Sequence, residues 1–177
     1  MRLRHVCFSH GQESGPWGTK IRAMAGVARG LGWTVESLDY QGMEDPRERA
    51  AKLDGRLVEL GGAPVLVGSS MGGFVSVRAA ARRPVRGLFL LAPALYLPPL
   101  EQWLPGSLPA CPTFIVHGWR DDVVPCEGSL RYARETLGSL LLLDGDHRLT
   151  ANIDVICREL EAFLSMLDAE DSQDAGA

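Results

Sequence analysis

Ser70 lies in the run VLVGSSMGGF (residues 65–74), where an aliphatic stretch stops at a cluster of glycines and serines and resumes as the helix-like VSVRAAARR. Gly68-Ser69-Ser70-Met71-Gly72 is a G-x-S-x-G pattern with Ser70 at its centre. A residue on a sharp strand-to-helix turn needs small neighbours two positions away, because larger side chains would collide with the turn. Such a turn lifts the central hydroxyl above the sheet edge, onto a helix N-terminus whose free N–H groups favour developing negative charge. That is the setting for a nucleophilic serine, and Ser69, one residue earlier, is expected to point away. A phosphate-binding loop or a plain turn is the alternative, but neither GxGxxG nor a Gly-Lys-Ser/Thr ending is present.

A serine hydroxyl needs a base within hydrogen-bond reach. The chain has four histidines, His5, His10, His117 and His147. His5 begins a strand, at the wrong edge of the sheet. His10 and His117 each precede a glycine at a strand end, where the ring commonly bonds nearby backbone. His147, in GDHRL after the last strand, follows Ser70 in the chain and sits on a loop that can approach it from above. His147 is the expected base, with His10 as the alternative. The base needs a carboxylate to fix its tautomer and to stabilise imidazolium, and HGWRDDVVP offers Asp121 and Asp122.

The elements that must position these groups alternate in type. Short apolar runs at residues 5–11, 33–40, 64–68, 85–94, 113–118 and 139–145 read as strands. Helical patterns fill the gaps. Residues 18–32 place Ile21, Met24, Ala25, Ala28 and Leu31 on one face, with Gly32 as C-cap. Asp45-Pro46 opens the next helix. Residues 152–169 form the last, capped by Thr150 or Asn152. This repetition predicts a three-layer α/β/α sandwich on a mostly parallel sheet of six strands. Reactive groups in such sheets lie beyond the carboxyl ends of the strands, where SHGQES, GSSMGG, HGWRDD and GDHRL all fall. A single domain over residues 1–169 is expected, with a frayed polar tail at 170–177.

Composition narrows the function. Of 177 residues, 46% are hydrophobic and 23% charged, with a net charge of −4. That is an ordinary globular profile with no basic patch for nucleic acid or an anionic membrane. The densest cations, Arg78, Arg82 and Arg83, fall near a helix end, where they complement its dipole. No stretch approaches the ~18 apolar residues a membrane span needs, and the start lacks a signal-peptide pattern. Cys7, Cys111, Cys126 and Cys157 show no metal-ligand spacing, and Cys7 and Cys157 read as buried thiols. The expectation is a cytoplasmic protein with reduced cysteines, no metal and no cofactor.

Together, GSSMGG, HGWRDDVVP and GDHRL resemble the α/β-hydrolase superfamily, in its small serine esterase and thioesterase members. The resemblance spans Phe8 to His147. It implies Asp121 as triad acid and leaves Asp122 to bond the loop backbone. It implies an oxyanion hole from the backbone N–H groups of Gln12, after His-Gly, and Met71, after the nucleophile. Against the family pattern no hairpin and extra strand precede the first strand, so a shortened fold of six strands is expected. LYLPPLEQWLPGSLPACP, with five prolines in residues 95–112, stands where the family often carries a lid and is too short for one.

Trp17, Leu95, Tyr96, Trp103, Leu104, Trp119 and Leu149 fall in strand-end loops and are expected to line an apolar acyl pocket. The resulting reading is hydrolysis of a small carboxylic ester or thioester, the small molecule being its partner. An amidase or a C–C bond hydrolase on the same triad is one alternative. A non-catalytic binding module with the same fold is another.

Overall fold

A computed structural model describes residues 3–174. Six strands form one sheet: β1 (His5–Ser9), β2 (Thr34–Leu38), β3 (Val65–Ser69), β4 (Gly87–Leu91), β5 (Thr113–Gly118) and β6 (Ser139–Leu143). Their order is β2-β1-β3-β4-β5-β6, and every neighbouring pair is parallel. The helices are α1 (Thr19–Gly30), α2 (Pro46–Leu60), α3 (Met71–Ala80), α4 (Glu127–Thr136) and α5 (Ile153–Asp174). The expected three-layer sandwich is observed.

Alternation along the central strands builds two cores. Val6, Phe8, Val65, Val67, Phe89 and Leu91 point to the face covered by α1 and α5, with Ile21, Met24, Leu160 and Leu164. Cys7, Leu66, Leu88, Leu90 and Ile115 point to the other face, with Leu53, Phe74, Val77 and Tyr132 from α2, α3 and α4. A strand covered on both faces needs apolar residues at every position, and the continuous apolar run of β4 reflects that.

Local signals set both ends of α2. Asp45 Oδ1 accepts from Arg47 N at 2.8 Å and Pro46 takes the first position of α2, while Gly61 closes it at φ 64°. The start of α5 differs from the expected cap. Neither Thr150 nor Asn152 caps it. Both lie in a short 3₁₀ turn (Thr150–Asn152), and Asn152 Oδ1 is buried without a partner. Asp146 does the turning instead, its Oδ1 accepting from Arg148 N and Leu149 N at 3.0 Å each. The helix also runs on to Asp174, past the expected end at Ala169. A polar sequence is no obstacle to backbone hydrogen bonding in a helix. The remaining tail residues, 175–177, lie outside the described residues.

The loop from Leu95 to Pro112 packs down. Leu97, Leu100, Trp103, Leu104 and Leu108 lie against the core on the α2/α3 side. Trp103 O accepts from Arg78, and the Arg47 guanidinium stacks 4.6 Å from the Trp103 ring. Tyr96 donates to Glu135 on α4. Among the described residues no helix is long and apolar enough to cross a membrane.

Phe89 is fully buried at the middle of the sheet, stacked 5.5 Å from Phe114 and tilted 5.8 Å from Phe163. Phe89→Ala should lower the unfolding free energy by about 3–5 kcal/mol, read as a lower urea midpoint at unchanged slope.

Candidate active site

The strand order reverses between β1 and β3, so the loops leaving these two strands part in opposite directions. A crevice at such a point is where open parallel sheets bind ligands. The loop after β1 carries Gln12, and the turn after β3 carries Ser70.

Ser70 has φ 53° and ψ −119°, a conformation that ordinary L-residues rarely hold. The flanking glycines make it tenable. A Cβ on Gly68 would lie 2.4 Å from Gly72 O, and one on Gly72 would lie 2.0 Å from Ser9 O. Backbone passes too close at both places for any side chain. Ser70 N donates to Leu91 O at 2.9 Å, and Ser70 O accepts from Ala94 N at 3.0 Å. The strained residue is therefore held from the neighbouring strand.

Above this turn, His147 Nε2 lies 3.0 Å from Ser70 Oγ, and His147 Nδ1 lies 2.7 Å from Asp121 Oδ2. These three residues come from the ends of β3, β5 and β6, and the structure brings them together. Asp121 Oδ1 accepts from Val123 N at 3.0 Å and Val124 N at 2.8 Å. Burial opposes its charge, but the Val124 N–H, the His147 ring and the Val123 N–H outweigh that and hold the carboxyl below the usual carboxylate range. The backbone-bonding role expected of Asp122 thus belongs to Asp121. Asp122 is exposed, because the loop turns on the residue that can satisfy two N–H groups at once.

His117, expected from the sequence to serve its turn, lies against the acid. It is fully buried, with Nε2 3.0 Å from Asp121 Oδ2 and 2.9 Å from Val124 O. Both partners are acceptors, so Nε2 carries the proton and Nδ1 accepts from Ser129 Oγ at 2.8 Å. Burial pushes its pKa down, against the Val124 carbonyl and the Asp121 charge, so the ring is a neutral donor. The spacing His117…Asp121 was the available signal.

His10, the alternative base, is spent on scaffolding. Its Nε2 accepts from Tyr40 N at 2.9 Å, and Nδ1–H donates to Gly11 O at 2.7 Å. The buried Arg49 guanidinium reaches the same carbonyl at 3.3 Å. Both fix the backbone just before Gln12. Met71 is the first residue of α3, so its N–H is among those a helix leaves without an internal acceptor. Ser69 Oγ accepts a hydrogen bond from Lys20 Nζ at 3.3 Å.

The pocket residues do not form one wall. Leu149 is buried in the core under α1 and α5, and Leu95 in the core on the opposite face of the sheet. Both were read as pocket lining and both are packing, since loops that close over a sheet need apolar anchors. Trp17 packs partly on the first core under Arg29, and Tyr96, Trp103 and Leu104 pack partly on the second. Trp119 is 60% exposed, two residues before Asp121. A groove of about 510 Å³ lined by Thr113, Phe114, Ser139 and Met166 lies at the other end of β5 and β6, away from Ser70.

His5, Cys7 and Glu36 could bring metal-ligating atoms within 4.8 Å of one another. Both His5 Nε2 and Cys7 Sγ lie 3.0 Å from Glu36 Oε1, and Arg56 holds Oε2 at 2.9 Å. These donors satisfy each other on β1 and β2, apart from the serine turn. The four cysteines stand free; Cys7 is buried, whereas Cys157, also read as buried, is only half-buried on α5.

Gly72→Ala should be among the most damaging small substitutions here, since the added methyl meets Ser9 O. The expected loss is about 1–3 kcal/mol or more, measured by thermal unfolding, whereas Asp122→Asn should stay within about 0.5 kcal/mol.

Comparison with known proteins agrees with this fold. No curated protein sequence matches the chain. A structure from Xanthomonas campestris pv. campestris, assigned to the alpha/beta superfamily of hydrolases, is 33% identical, with TM-score 0.84 over 94% of this chain and 99% of its own. Alpha/beta hydrolase domain-containing protein 10 from mouse is 22% identical, with TM-score 0.74 over 92% of this chain and 90% of its own. Est1E from Butyrivibrio proteoclasticus is 16% identical, with TM-score 0.77 over 95% and 89%. The last two share the fold. The model of the alpha/beta hydrolase family matches residues 7–173, and with that match over nearly its whole length the chain belongs to the alpha/beta hydrolase family.

Proposed function

We propose that this hydrolase cleaves a carboxylic ester or thioester of a small molecule through an acyl-enzyme on Ser70. The observation that carries the reading is the hydrogen-bonded line from Ser70 Oγ through His147 to Asp121, at 3.0 and 2.7 Å.

In this reading Ser70 Oγ–H donates to His147 Nε2. Oγ attacks the carbonyl carbon as the proton moves to His147. The imidazolium keeps its Nδ1–H on Asp121 Oδ2, whose buried charge stabilises it. The oxyanion is received by the N–H groups of Met71 and Gln12, backed by the dipole of α3. His147 then protonates the departing alcohol or thiol as its bond to the carbonyl carbon breaks. A water, deprotonated by His147, attacks the acyl-serine, and the acid leaves as Ser70 regains its proton. Trp119 and Val123, 60% and 59% exposed on the loop carrying Asp121, offer apolar surface for the substrate. The complete donor line favours this over a non-catalytic binding module, which needs no strained serine facing a histidine.

A fluorophosphonate probe should label the protein at Ser70. Ser70→Ala should abolish labelling and lower hydrolysis of p-nitrophenyl esters by about 10³-fold or more. Ser69→Ala should cost no more than about 5-fold, the equivalent of one neutral hydrogen bond. Labelling that survives in Ser70→Ala and is lost in Ser69→Ala would overturn the assignment. A parallel set of thioesters and anilides of the same acyl group separates the leaving-group classes.

Asp121→Asn leaves an amide where the carboxylate fixed the His147 tautomer. It should reduce kcat by about 10²–10⁴-fold, while Asp122→Asn retains turnover. Stopped assays at matched folded fraction check both.

A further inference from the structure

Arg49 is a buried cation that the reaction as written does not use. It lies on α2 and is 2% exposed. A charge taken out of water is ordinarily paired with an opposite one. Among the described residues no carboxylate pairs with the Arg49 guanidinium. Its Nε donates to Met43 O at 2.6 Å and its Nη1 to Gly11 O at 3.3 Å, and the Tyr40 ring lies 5.5 Å away. A guanidinium keeps its proton, so a full positive charge sits inside the protein, answered by carbonyl dipoles and an aromatic ring.

One of those dipoles belongs to the peptide that joins Gly11 to Gln12. That peptide stands beside the nucleophile: a Cβ on Gly11 would lie 3.5 Å from Ser70 Cβ and 3.7 Å from Ser69 O. Among the described residues no acceptor takes up the Gln12 N–H. A trans peptide is planar, with its C=O and N–H on opposite sides. Whatever captures the Gly11 carbonyl therefore sets the direction of the Gln12 N–H. His10 Nδ1–H captures it at 2.7 Å, and Arg49 adds a second, charged donor. A donor on the carbonyl oxygen also draws electron density through the amide, so the N–H at its other end becomes more positive.

We propose that Arg49 is a positioning residue of the hydrolytic site, the buried cation that orients and polarises the Gln12 N–H for the oxyanion. The inference rests on the reading of Ser70 as nucleophile and of the Gln12 N–H as an oxyanion donor. A carboxylate beside the guanidinium would cancel its field. An unpaired cation instead favours negative charge that appears only in the transition state. Burial keeps that field from being screened by salt. The bond from Nε to Met43 O ties the fork to the segment just before α2, so the direction of the guanidinium is set without help from a substrate.

The test uses Arg49→Met, Arg49→Lys, Gln12→Pro and the double variant of the first and third, all in the full chain. Hydrolysis of a p-nitrophenyl ester is followed, with each rate divided by the number of sites that a fluorophosphonate labels at completion. A trifluoromethyl ketone of the same acyl group reports the oxyanion directly, because Ser70 Oγ adds to its carbonyl carbon and the oxygen becomes anionic. Arg49→Met should lower kcat per reactive site by about 10–100-fold with KM little changed, and should weaken the ketone by the same factor. Gln12→Pro removes the N–H and should lower kcat by about 10²–10³-fold. Added to Gln12→Pro, Arg49→Met should cost no more than about 2-fold further, since the group it acts through is gone. Arg49→Lys keeps the charge without the fork and should fall between the wild type and Arg49→Met.

An Arg49→Met protein with wild-type kcat per reactive site overturns the proposal, whatever its melting temperature. So do losses that multiply in the double variant, which put the effect of Arg49 outside the Gln12 peptide, and so does a Gln12→Pro chain with wild-type kcat. If Arg49→Met does not fold, Arg49→Gln takes its place in every comparison, with the same expected and overturning results, since it keeps an N–H for Met43 O and drops the charge. A wild-type chain that does not react with the probe removes the hydrolytic reading, and the proposal with it. A reactive wild type with indifferent Arg49 variants removes the proposal alone.

Discussion

A carboxylate taken out of water must have its oxygens answered, or it loses its charge. Asp121 has no exposed side-chain surface, and it is answered four times. Val123 N and Val124 N bind one oxygen, and His147 and His117 bind the other. The rest of the site follows from that satisfaction. The loop after β5 must curl so that its N–H groups reach back. His117 must be neutral and must turn Nε2–H inward, which requires Ser129 on α4 to face Nδ1. With Oδ2 held between two rings, His147 has one favourable direction for Nδ1–H, and Nε2 then points at Ser70. A single buried charge thus couples the ends of β5 and β6 to α4 and to the serine turn.

The other half of the site is set by backbone packing. Ser70 keeps a positive φ because Leu91 O and Ala94 N hold its own N–H and carbonyl from β4 and the segment after it. Gly72 lets α3 start against the last carbonyls of β1. That contact carries the Gln12 loop to within reach of the serine, and His10, Tyr40 and Arg49 hold it there. The His10 and Arg49 side chains and the Tyr40 N–H do no chemistry in the proposed reaction, but without them the loop would have a buried carbonyl and no fixed path.

Much of this was legible in the chain. The strand and helix pattern carried the fold because both faces of the sheet are covered, and burial on both faces leaves a continuous apolar run, as at Val85–Ala94. Ser70 was legible because a strained turn excludes side chains at Gly68 and Gly72, and such an exclusion appears in composition. His147 was legible by elimination and by its place after the last strand, whereas Asp121 was separated from Asp122 only by the resemblance to the α/β-hydrolase superfamily. The readings that missed have a common cause. Leu95 and Leu149 occupy loop positions in the sequence, and a loop residue anchors inward as readily as it lines a cleft. Asp122 was given the backbone bonds that Asp121 makes, because adjacent carboxylates are equivalent until the turn exists. Neither Thr150 nor Asn152 caps α5, because the side-chain oxygen that gathers backbone N–H groups is that of Asp146, in the turn upstream of the helix.

The sequence by itself determined the elements, their order as a parallel sandwich and the candidate nucleophile, since these depend on local patterning and on sterics within a few residues. The tertiary structure alone decided which groups meet: His117 on Asp121, Arg49 on the Gly11 carbonyl, and Lys20 on Ser69. Each of these joins segments that the chain keeps apart or points in directions that only packing fixes. Electrostatic and hydrogen-bond energies depend on distances of a few ångströms and on the exclusion of water, and those quantities come into existence when the sheet closes its two cores.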